Sequence, residues 1–290
     1  MFTGAMVALI TPFQDGQVDF ETLDELIEFQ LENSIDGIVP VGTTGESPTL
    51  SHDEHKQVIE KVVKTAGGQV PVIAGAGSNS TAEAIELTAY AKKVGADATL
   101  QVTPYYNKPT QEGFYQHFKA IADAVDLPMV LYNIPGRCGA GMTPDTIARL
   151  ADVDNIVAIK EATGSLDQAS EIATRCDMII ISGDDSLTLP LASVGAKGVI
   201  SVVANIVPAD VKAMTDLILV GDLVSARQWH NKLFTLCKSM LTLATNPIPI
   251  KAAMAMLNMA PEELRLPMTP LEESKRAILE TTLRNYGLLK

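Results

Sequence analysis

Short apolar runs recur along the first two thirds of the chain at intervals of about 20 to 35 residues. Each run is too short for a helix and almost uniformly apolar, which is typical of parallel strands buried on both faces. The pattern therefore predicts eight strands, at Ala5–Leu9, Gly37–Val41, Val70–Ala74, Ala98–Val102, Pro128–Tyr132, Ile156–Ile159, Met178–Ile181 and Gly198–Val202.

The segments between these runs have helical periodicity. In Phe20–Glu32, apolar residues fall on one helix face, and the same spacing predicts helices at Asp53–Thr65, Thr81–Val94, Gln111–Val125 and Pro144–Ala151. Ser51 and Ser80 stand where N-caps are expected, and Gly67 and Gly95 stand where helices should end. Strands and helices therefore alternate along this part of the chain.

This alternation predicts a (β/α)8 TIM barrel with a C-terminal helical extension. A doubly wound open sheet is the alternative, but it would need fewer strands or a larger second domain. After the eighth run the pattern is only helical, over Ala209–Val220, Leu223–Leu243, Pro249–Met256 and Leu271–Tyr286. We expect the first of these helices to close the barrel, so that residues 1–224 form the catalytic barrel and residues 225–290 the extension.

Composition and charge limit which partners the chain can bind and in which cellular compartment it is expected. The 290 residues carry 22 Lys and Arg against 35 Asp and Glu, and the net charge of −13 argues against a nucleic-acid partner or an anionic membrane surface. Three distant cysteines, Cys138, Cys176 and Cys237, form no zinc-type or disulfide pattern. With no recognisable signal peptide and no membrane-length apolar run, we expect a cytoplasmic protein.

Lys160 is the candidate nucleophile, because it directly follows the sixth apolar run. Reactive groups of a barrel lie at the carboxyl ends of its strands. Burial there would lower the pKa of the amine, and a neutral amine forms Schiff bases with carbonyl compounds. The alternative is a structural lysine paired with Glu161 or with an aspartate.

Tyrosines follow the two neighbouring strands. Tyr132 ends the fifth run, and Tyr105 and Tyr106 come just after the fourth. A phenol can donate or accept a proton beside an imine, although each ring could equally be packing with an exposed hydroxyl.

Two further segments have the chemistry of carboxylate binding. The GTTGE turn, Gly42–Glu46, offers two hydroxyls and several backbone amides, and Arg137 stands in a Pro/Gly loop after the fifth run. Either could be merely structural, as a tight turn or a surface ion pair. Asp184 and Asp185 fit helix N-capping better than a cation site, and two histidines spaced i, i+3 do not make a zinc site, so no metal is predicted.

The strings at the strand ends resemble those of a known family. GTTGESPTL, TPYYNKPTQEG, YNIPGR, IKEATG, SGDD, GVISV, NPIPIK and LRLPMTP resemble the 4-hydroxy-tetrahydrodipicolinate synthase (dihydrodipicolinate synthase) family. It is a family of pyruvate-dependent class I aldolases related to N-acetylneuraminate lyase. The resemblance runs from Gly4 to Leu289. It implies condensation of pyruvate with L-aspartate 4-semialdehyde through a Schiff base, cyclisation, and no cofactor, as the committed step of lysine (diaminopimelate) biosynthesis.

The resemblance also implies residue roles. Lys160 matches the Schiff-base lysine, Tyr132 the general acid–base, and Thr43 and Tyr106 a proton relay in which the second tyrosine comes from a neighbouring subunit. The residues that match substrate contacts are Thr44 for the pyruvate carboxylate, Gly183 and Ile200 lining the same pocket, and Arg137 for the carboxylate of the semialdehyde. Cys138 departs from the family pattern, where threonine is usual.

The resemblance implies assembly and regulation as well. We expect a homotetramer built from tight dimers, and L-lysine as a feedback inhibitor. The residues that match the lysine site are Ser47, His52, His55, Asn79, Glu83 and Tyr105. Two alternatives stay open, namely another pyruvate aldolase, such as a sialic-acid or keto-deoxy-sugar lyase, and a non-catalytic protein that kept the fold.

Overall fold

The computed structural model describes residues 2–290. Its strands are β1 (Gly4–Ala8), β2 (Phe13–Gln14), β3 (Gln17–Val18), β4 (Gly37–Val39), β5 (Ile73–Gly75), β6 (Ala98–Val102), β7 (Met129–Asn133), β8 (Ile156–Glu161), β9 (Ile179–Ser182) and β10 (Gly198–Ser201). Its helices are α1 (Phe20–Glu32), α2 (His52–Ala66), α3 (Thr81–Val94), α4 (Gln111–Ala124), α5 (Pro135–Cys138), α6 (Pro144–Ala151), α7 (Leu166–Arg175), α8 (Thr188–Ala192), α9 (Pro208–Leu219), α10 (Leu223–Thr242), α11 (Ile248–Met256) and α12 (Glu273–Tyr286).

Eight parallel strands form the barrel, in the order β4-β1-β10-β9-β8-β7-β6-β5. An isolated parallel bridge between Ile38 and Val72 joins the two ends of this sheet, so the ring is nearly closed. The predicted (β/α)8 barrel is confirmed, and the open-sheet alternative is wrong. The small antiparallel hairpin of β2 and β3 was not predicted, because strands of two residues carry no periodic signal.

The helices begin and end where local chemistry satisfies their terminal backbone groups. Ser51 and Glu54 form a reciprocal capping box at the start of α2. Gly67 and Gly95 end α2 and α3 in the left-handed conformation that glycine adopts without strain. The helices predicted from periodicity differ from the observed ones by two residues at most.

Alternation along the strands decides which side chains enter the barrel. Val130 and Ala158 lie in the cluster that fills its interior, and successive side chains of a strand point to opposite faces. Two residues further on, Tyr132 and Lys160 therefore point inward at the carboxyl end of β7 and β8. Glu161, one residue later, points outward to the helices.

The C-terminal helices share a hydrophobic core with the barrel. Leu236, Met240 and Leu279 belong to the same buried cluster as Val7 and Ile38. The division into residues 1–224 and 225–290 stays a prediction, and α10 begins at Leu223, just before that boundary. None of the helices within residues 2–290 is long and apolar enough to cross a membrane.

Candidate active site

Lys160 and Tyr132 are direct neighbours across two strands. The two residues are partners in the β7–β8 register, and the Lys160 Nζ atom lies 4.2 Å from the centroid of the Tyr132 ring. Lys160 is only 6% exposed and Tyr132 only 5%. The amine predicted from the sequence therefore lies inside the barrel mouth against a phenol.

Burial changes the chemistry of the Lys160 amine. Loss of solvation lowers the pKa of Lys160 to about 8, although the negative charges of Asp185 and Asp184 favour the ammonium form. About a tenth of the amine is therefore neutral at pH 7, far more than for an exposed lysine. Such an amine can attack a carbonyl group.

The Tyr132 phenol stays protonated near neutral pH. Burial raises the pKa of Tyr132 to about 12, while the Arg137 charge and the nearby Thr43 hydroxyl act in the opposite direction. A protonated phenol in contact with a hydroxyl can pass a proton in either direction. Thr43 and Tyr132 thus provide a short proton path beside Lys160.

The GTTGE turn is built from strained backbone. Val41, which precedes it, and Glu46, its last residue, have positive φ angles of 49° and 53°, and a β-branched residue such as valine rarely adopts this conformation. Backbone strain of this kind is concentrated at functional sites. The turn holds Thr44 at 3% exposure, and the Thr44 hydroxyl accepts a hydrogen bond from Asn246 Nδ2 at 3.0 Å.

Gly183 and Ile200 lie at the ends of β9 and β10. Ile200 is buried in the same interior cluster as Tyr132. A Cβ atom on Gly183 would come within 2.5 Å of the Ala162 Cβ, so only glycine fits there. Both residues therefore lie near the carboxyl ends of their strands, the same end of the barrel as Lys160.

A cavity of about 250 Å³ lies beside these groups, although Lys160, Thr44, Gly183 and Ile200 are not among its lining residues. Its lining includes Thr43, Tyr132, Arg137 and Cys138, a size and polarity that suit small metabolites. Arg137 Nη2 donates to the main-chain carbonyl of Asn246 at 3.0 Å. Burial raises the pKa of the Cys138 thiol, so this residue lines the cavity as an uncharged thiol.

Tyr106 is not brought to Lys160 within the chain. The side chain is 91% exposed, and its backbone has a positive φ angle of 71°. An aromatic side chain held outward by strained backbone is unusual in an isolated subunit.

The residues predicted for the lysine site come together beside the cavity. The Glu83 carboxylate contacts His52 Nε2 at 2.5 Å and accepts a hydrogen bond from the Ser78 hydroxyl. Asn79 Nδ2 donates to the Tyr105 carbonyl at 3.1 Å. Ser47 and Tyr105 also line the cavity, so this cluster shares a wall with the candidate active site.

His55 differs from His52 within this group. Its ring is buried and its Nε2 atom lies 2.7 Å from the Gly75 carbonyl. Desolvation lowers the pKa of His55, so the ring is neutral and Nε2–H donates to the carbonyl. His52 therefore lies at the exposed start of α2, whereas His55 is part of the buried packing.

The helix N-capping predicted for Asp184 or Asp185 is wrong, because neither carboxylate caps the turn that follows it. The Asp185 carboxylate accepts hydrogen bonds from the Ser201 hydroxyl and from the backbone amide of Val202, at the start of the 3₁₀ turn Val203–Asn205. Asp184 precedes the turn Asp185–Leu187 without a side-chain capping bond. No group of three or more metal-ligating side chains occurs in the part of the chain that the structure describes.

A sequence profile described as the dihydrodipicolinate synthetase family matches residues 1–286. The 4-hydroxy-tetrahydrodipicolinate synthase of Pelobacter propionicus is 57% identical over 291 residues, covering 100% of both chains. The chain belongs to the dihydrodipicolinate synthetase family. Its activity is that of a class I aldolase-type lyase, 4-hydroxy-tetrahydrodipicolinate synthase, and the expectation from the sequence is confirmed.

Solved structures of this family superpose closely on the chain. The dihydrodipicolinate synthase from Aquifex aeolicus is 50% identical with a TM-score of 0.97, covering 99% of each chain. The Acinetobacter baumannii enzyme, described as complexed with pyruvate, is 45% identical with a TM-score of 0.97 and 100% coverage of each chain. The Cyanidioschyzon merolae enzyme, described as having lysine bound, is 43% identical with a TM-score of 0.95 and 99% coverage of each.

Sequence reasoning assigned no role to two residues of the extension that reach this site. Asn246 contacts both Arg137 and Thr44, and Lys251 is buried against Glu46 of the GTTGE turn. Both stand in the NPIPIK segment, about 200 residues from that turn. Only the resemblance of that segment to the family could have drawn attention to them.

Proposed function

We propose that Lys160 forms a Schiff base with pyruvate and that the chain condenses it with L-aspartate 4-semialdehyde. The observation that carries this proposal is the buried Lys160 amine, with a pKa of about 8, against the Tyr132 ring. The pyruvate bound in the Acinetobacter relative supports the first substrate.

The proposed reaction divides into steps that these groups can serve. The neutral amine adds to the pyruvate carbonyl and water leaves, giving an iminium that acts as an electron sink. A proton then leaves the methyl carbon, and the resulting enamine attacks the aldehyde carbon. Tyr132 and Thr43 deliver a proton to the new alkoxide. The amino group of the product closes on the imine carbon, which releases Lys160 and forms the ring.

A hydroxyl with its neighbouring amides would hold one substrate carboxylate, and a guanidinium would hold the other. Thr44 and the backbone amides of the turn suit the pyruvate carboxylate. Arg137, in the wall of the cavity, suits the carboxylate of the semialdehyde, since a guanidinium can bind a carboxylate through two hydrogen bonds. Gly183 and Ile200 leave room for the bound pyruvate between these groups and Lys160.

The rate of imine formation should depend on pH through Lys160. Because only the neutral amine reacts, kcat/KM for pyruvate is expected to fall about tenfold per pH unit below a pKa of about 8 and to level off above it. Replacing Asp184 by Asn removes a negative charge that favours the ammonium form of Lys160. The fall of kcat/KM at low pH, the acid limb of the profile, should therefore move to lower pH. The control variant Asp154→Asn, at the other end of the barrel, should leave the acid limb at its wild-type pH. An acid limb unaffected by Asp184→Asn would contradict the assignment.

We propose that Tyr106 completes the site of a second copy in a tight dimer, within a homotetramer. Its exposure and strained backbone support this role. Mixed dimers of Lys160→Ala and Tyr106→Phe chains would each hold one complete site, so re-assembly from an equal mixture should restore about a quarter of the wild-type rate. If mixing the two variants restored no activity, or if sedimentation showed a fully active monomer, this assignment would be wrong.

We also propose L-lysine as an inhibitor that binds the cluster around Glu83. A carboxylate beside His52 and an uncharged His55 suits a cationic amino acid, and the lysine bound in the Cyanidioschyzon relative supports the ligand.

Glu83→Gln should therefore raise the half-inhibitory lysine concentration by about tenfold or more, because a charge-assisted hydrogen bond is lost. Glu86→Gln is the matched control, since this exposed carboxylate on the same helix pairs with Lys56. Inhibition curves of equal midpoint for both variants, or no inhibition of the wild type at saturating lysine, would refute the proposed site.

The aldehyde substrate distinguishes a synthase from a sugar-acid lyase on the same fold. Arg137 at the cavity favours an acceptor with its own carboxylate over a neutral sugar chain. A coupled assay should give turnover with aspartate semialdehyde and at most traces of cleavage with sialic or keto-deoxy-sugar acids. The reverse preference would make the chain a lyase on the same scaffold.

A further inference from the structure

Asn246 connects the C-terminal extension to Arg137 and to the GTTGE turn. It lies in the segment between α10 and α11 and is almost fully buried. Its main-chain carbonyl accepts from Arg137 Nη2 at 3.0 Å, and its side-chain Nδ2 donates to Thr44 Oγ1 at 3.0 Å. One residue of the extension thus holds two groups that belong to different strand ends of the barrel.

The hydrogen bond from Asn246 determines which way the Thr44 hydroxyl can donate its proton. A hydroxyl has a single proton to donate and can accept through its lone pairs. Because Thr44 Oγ1 accepts from Asn246, its own proton is free to be donated elsewhere. A ligand carboxylate, which can only accept, needs that arrangement.

The contact with Arg137 orients a cation without neutralising it. Within residues 2–290 no carboxylate forms an ion pair with Arg137, and its hydrogen bond goes to a neutral carbonyl. The other N–H groups of the guanidinium therefore keep their capacity for a ligand carboxylate.

The position of Asn246 is itself fixed by a buried ion pair. Lys251, five residues further along the chain in α11, contacts Glu46 of the GTTGE turn with both side chains almost completely buried. The Lys251 amine also donates to the Glu263 carbonyl at 2.8 Å. The helix that follows Asn246 is thereby attached to the same turn that carries Thr44.

From these contacts we propose that Asn246 is a positioning residue for the two carboxylate-binding groups of the cavity. It sets the Thr44 hydroxyl as a donor through its amide and holds the Arg137 guanidinium through its carbonyl. This inference rests on the proposed function of Thr44 and Arg137 in binding the two substrates.

The test compares two substitutions that differ in hydrogen-bond direction. In Asn246→Ala the Thr44 hydroxyl loses its donor, and the KM for pyruvate should rise about tenfold. In Asn246→Asp the new carboxylate takes the Thr44 proton and repels the substrate, so the KM should rise about 100-fold or more. We expect kcat to change less than fivefold, because neither group reacts. Asn231→Ala and Asn231→Asp, at an exposed position of α10, are the matched controls.

A double-mutant cycle separates positioning from loss of structure. In a Thr44→Val background the Asn246→Ala substitution should raise the pyruvate KM by less than twofold further, because the hydroxyl that Asn246 positions is already absent. Asn246→Ser provides a milder replacement should the alanine variant fold poorly. A pyruvate KM within twofold of wild type for all Asn246 variants, equal increases for Ala and Asp, or additive effects with Thr44→Val would each overturn the proposal.

Borohydride trapping of pyruvate distinguishes failure of the Asn246 inference from failure of the proposed function. If the proposed function is wrong, the wild-type chain gives no reduced adduct at Lys160. If only the Asn246 inference is wrong, the wild-type adduct forms and the kinetic constants of the Asn246 variants match those of the Asn231 controls.

Discussion

Replacing Lys160 by arginine is expected to reduce kcat/KM for pyruvate by a factor on the order of 10⁴ or more. Arginine keeps the positive charge and much of the length of the side chain but cannot lose its proton at any working pH. No Schiff base can then form, although the contacts of a cation with the Tyr132 ring remain possible. Initial rates measured with both substrates give this ratio.

A matched lysine away from the cavity serves as the control. Lys212→Arg, at the opposite end of the barrel where Lys212 pairs with Asp36 and Asp216, should keep the wild-type rate. A Lys160→Arg variant with more than about a hundredth of the wild-type rate would mean that covalent catalysis is not the source of the activity.

Replacing Lys251 by methionine is expected to destabilise the folded chain by about 3–5 kcal/mol, because the buried Glu46 charge loses the lysine of its ion pair. The two side chains are 0% and 1% exposed. Phe13 packs against the Lys251 amine at 4.2 Å from its ring centroid, so no water replaces the lost cation. Unfolding in guanidinium chloride, followed by circular dichroism, measures the loss.

The double variant Lys251→Met/Glu46→Gln should recover most of that loss, since no charge remains buried and the glutamine oxygen can still accept from the Arg265 amide. Lys119→Met breaks an exposed pair with Asp123 and should cost less than about 1 kcal/mol. A Lys251→Met effect as small as that of Lys119→Met would show that the buried pair adds no net stability.

The sequence was sufficient to predict the barrel and its reactive strand end. Uniformly apolar runs mark strands that are buried on both faces, and this signal does not depend on tertiary contacts. Lys160 was identifiable because a charged residue directly follows such a run. The family resemblance then supplied roles for Tyr132, Thr43 and Arg137, and the structure brings these residues to one cavity.

Contacts between distant segments were not predictable in this way. Lys251 stands in an apolar helix, and only the fold shows that its amine meets Glu46, 205 positions away along the chain. The two bonds of Asn246 likewise depend on where the extension crosses the barrel. Tyr106 was a candidate from its position after the fourth run, its relay role came from the resemblance, and within the chain its side chain is 91% exposed.

The central claim, a covalent imine between Lys160 and pyruvate, is tested most directly by mass spectrometry after borohydride reduction. The chain is incubated with pyruvate, reduced, digested and mapped. We expect one reduced pyruvyl group per chain on the peptide that carries Lys160, and none on the Lys160→Arg variant. A modification on another lysine, or an unmodified chain under conditions of full turnover, would contradict it.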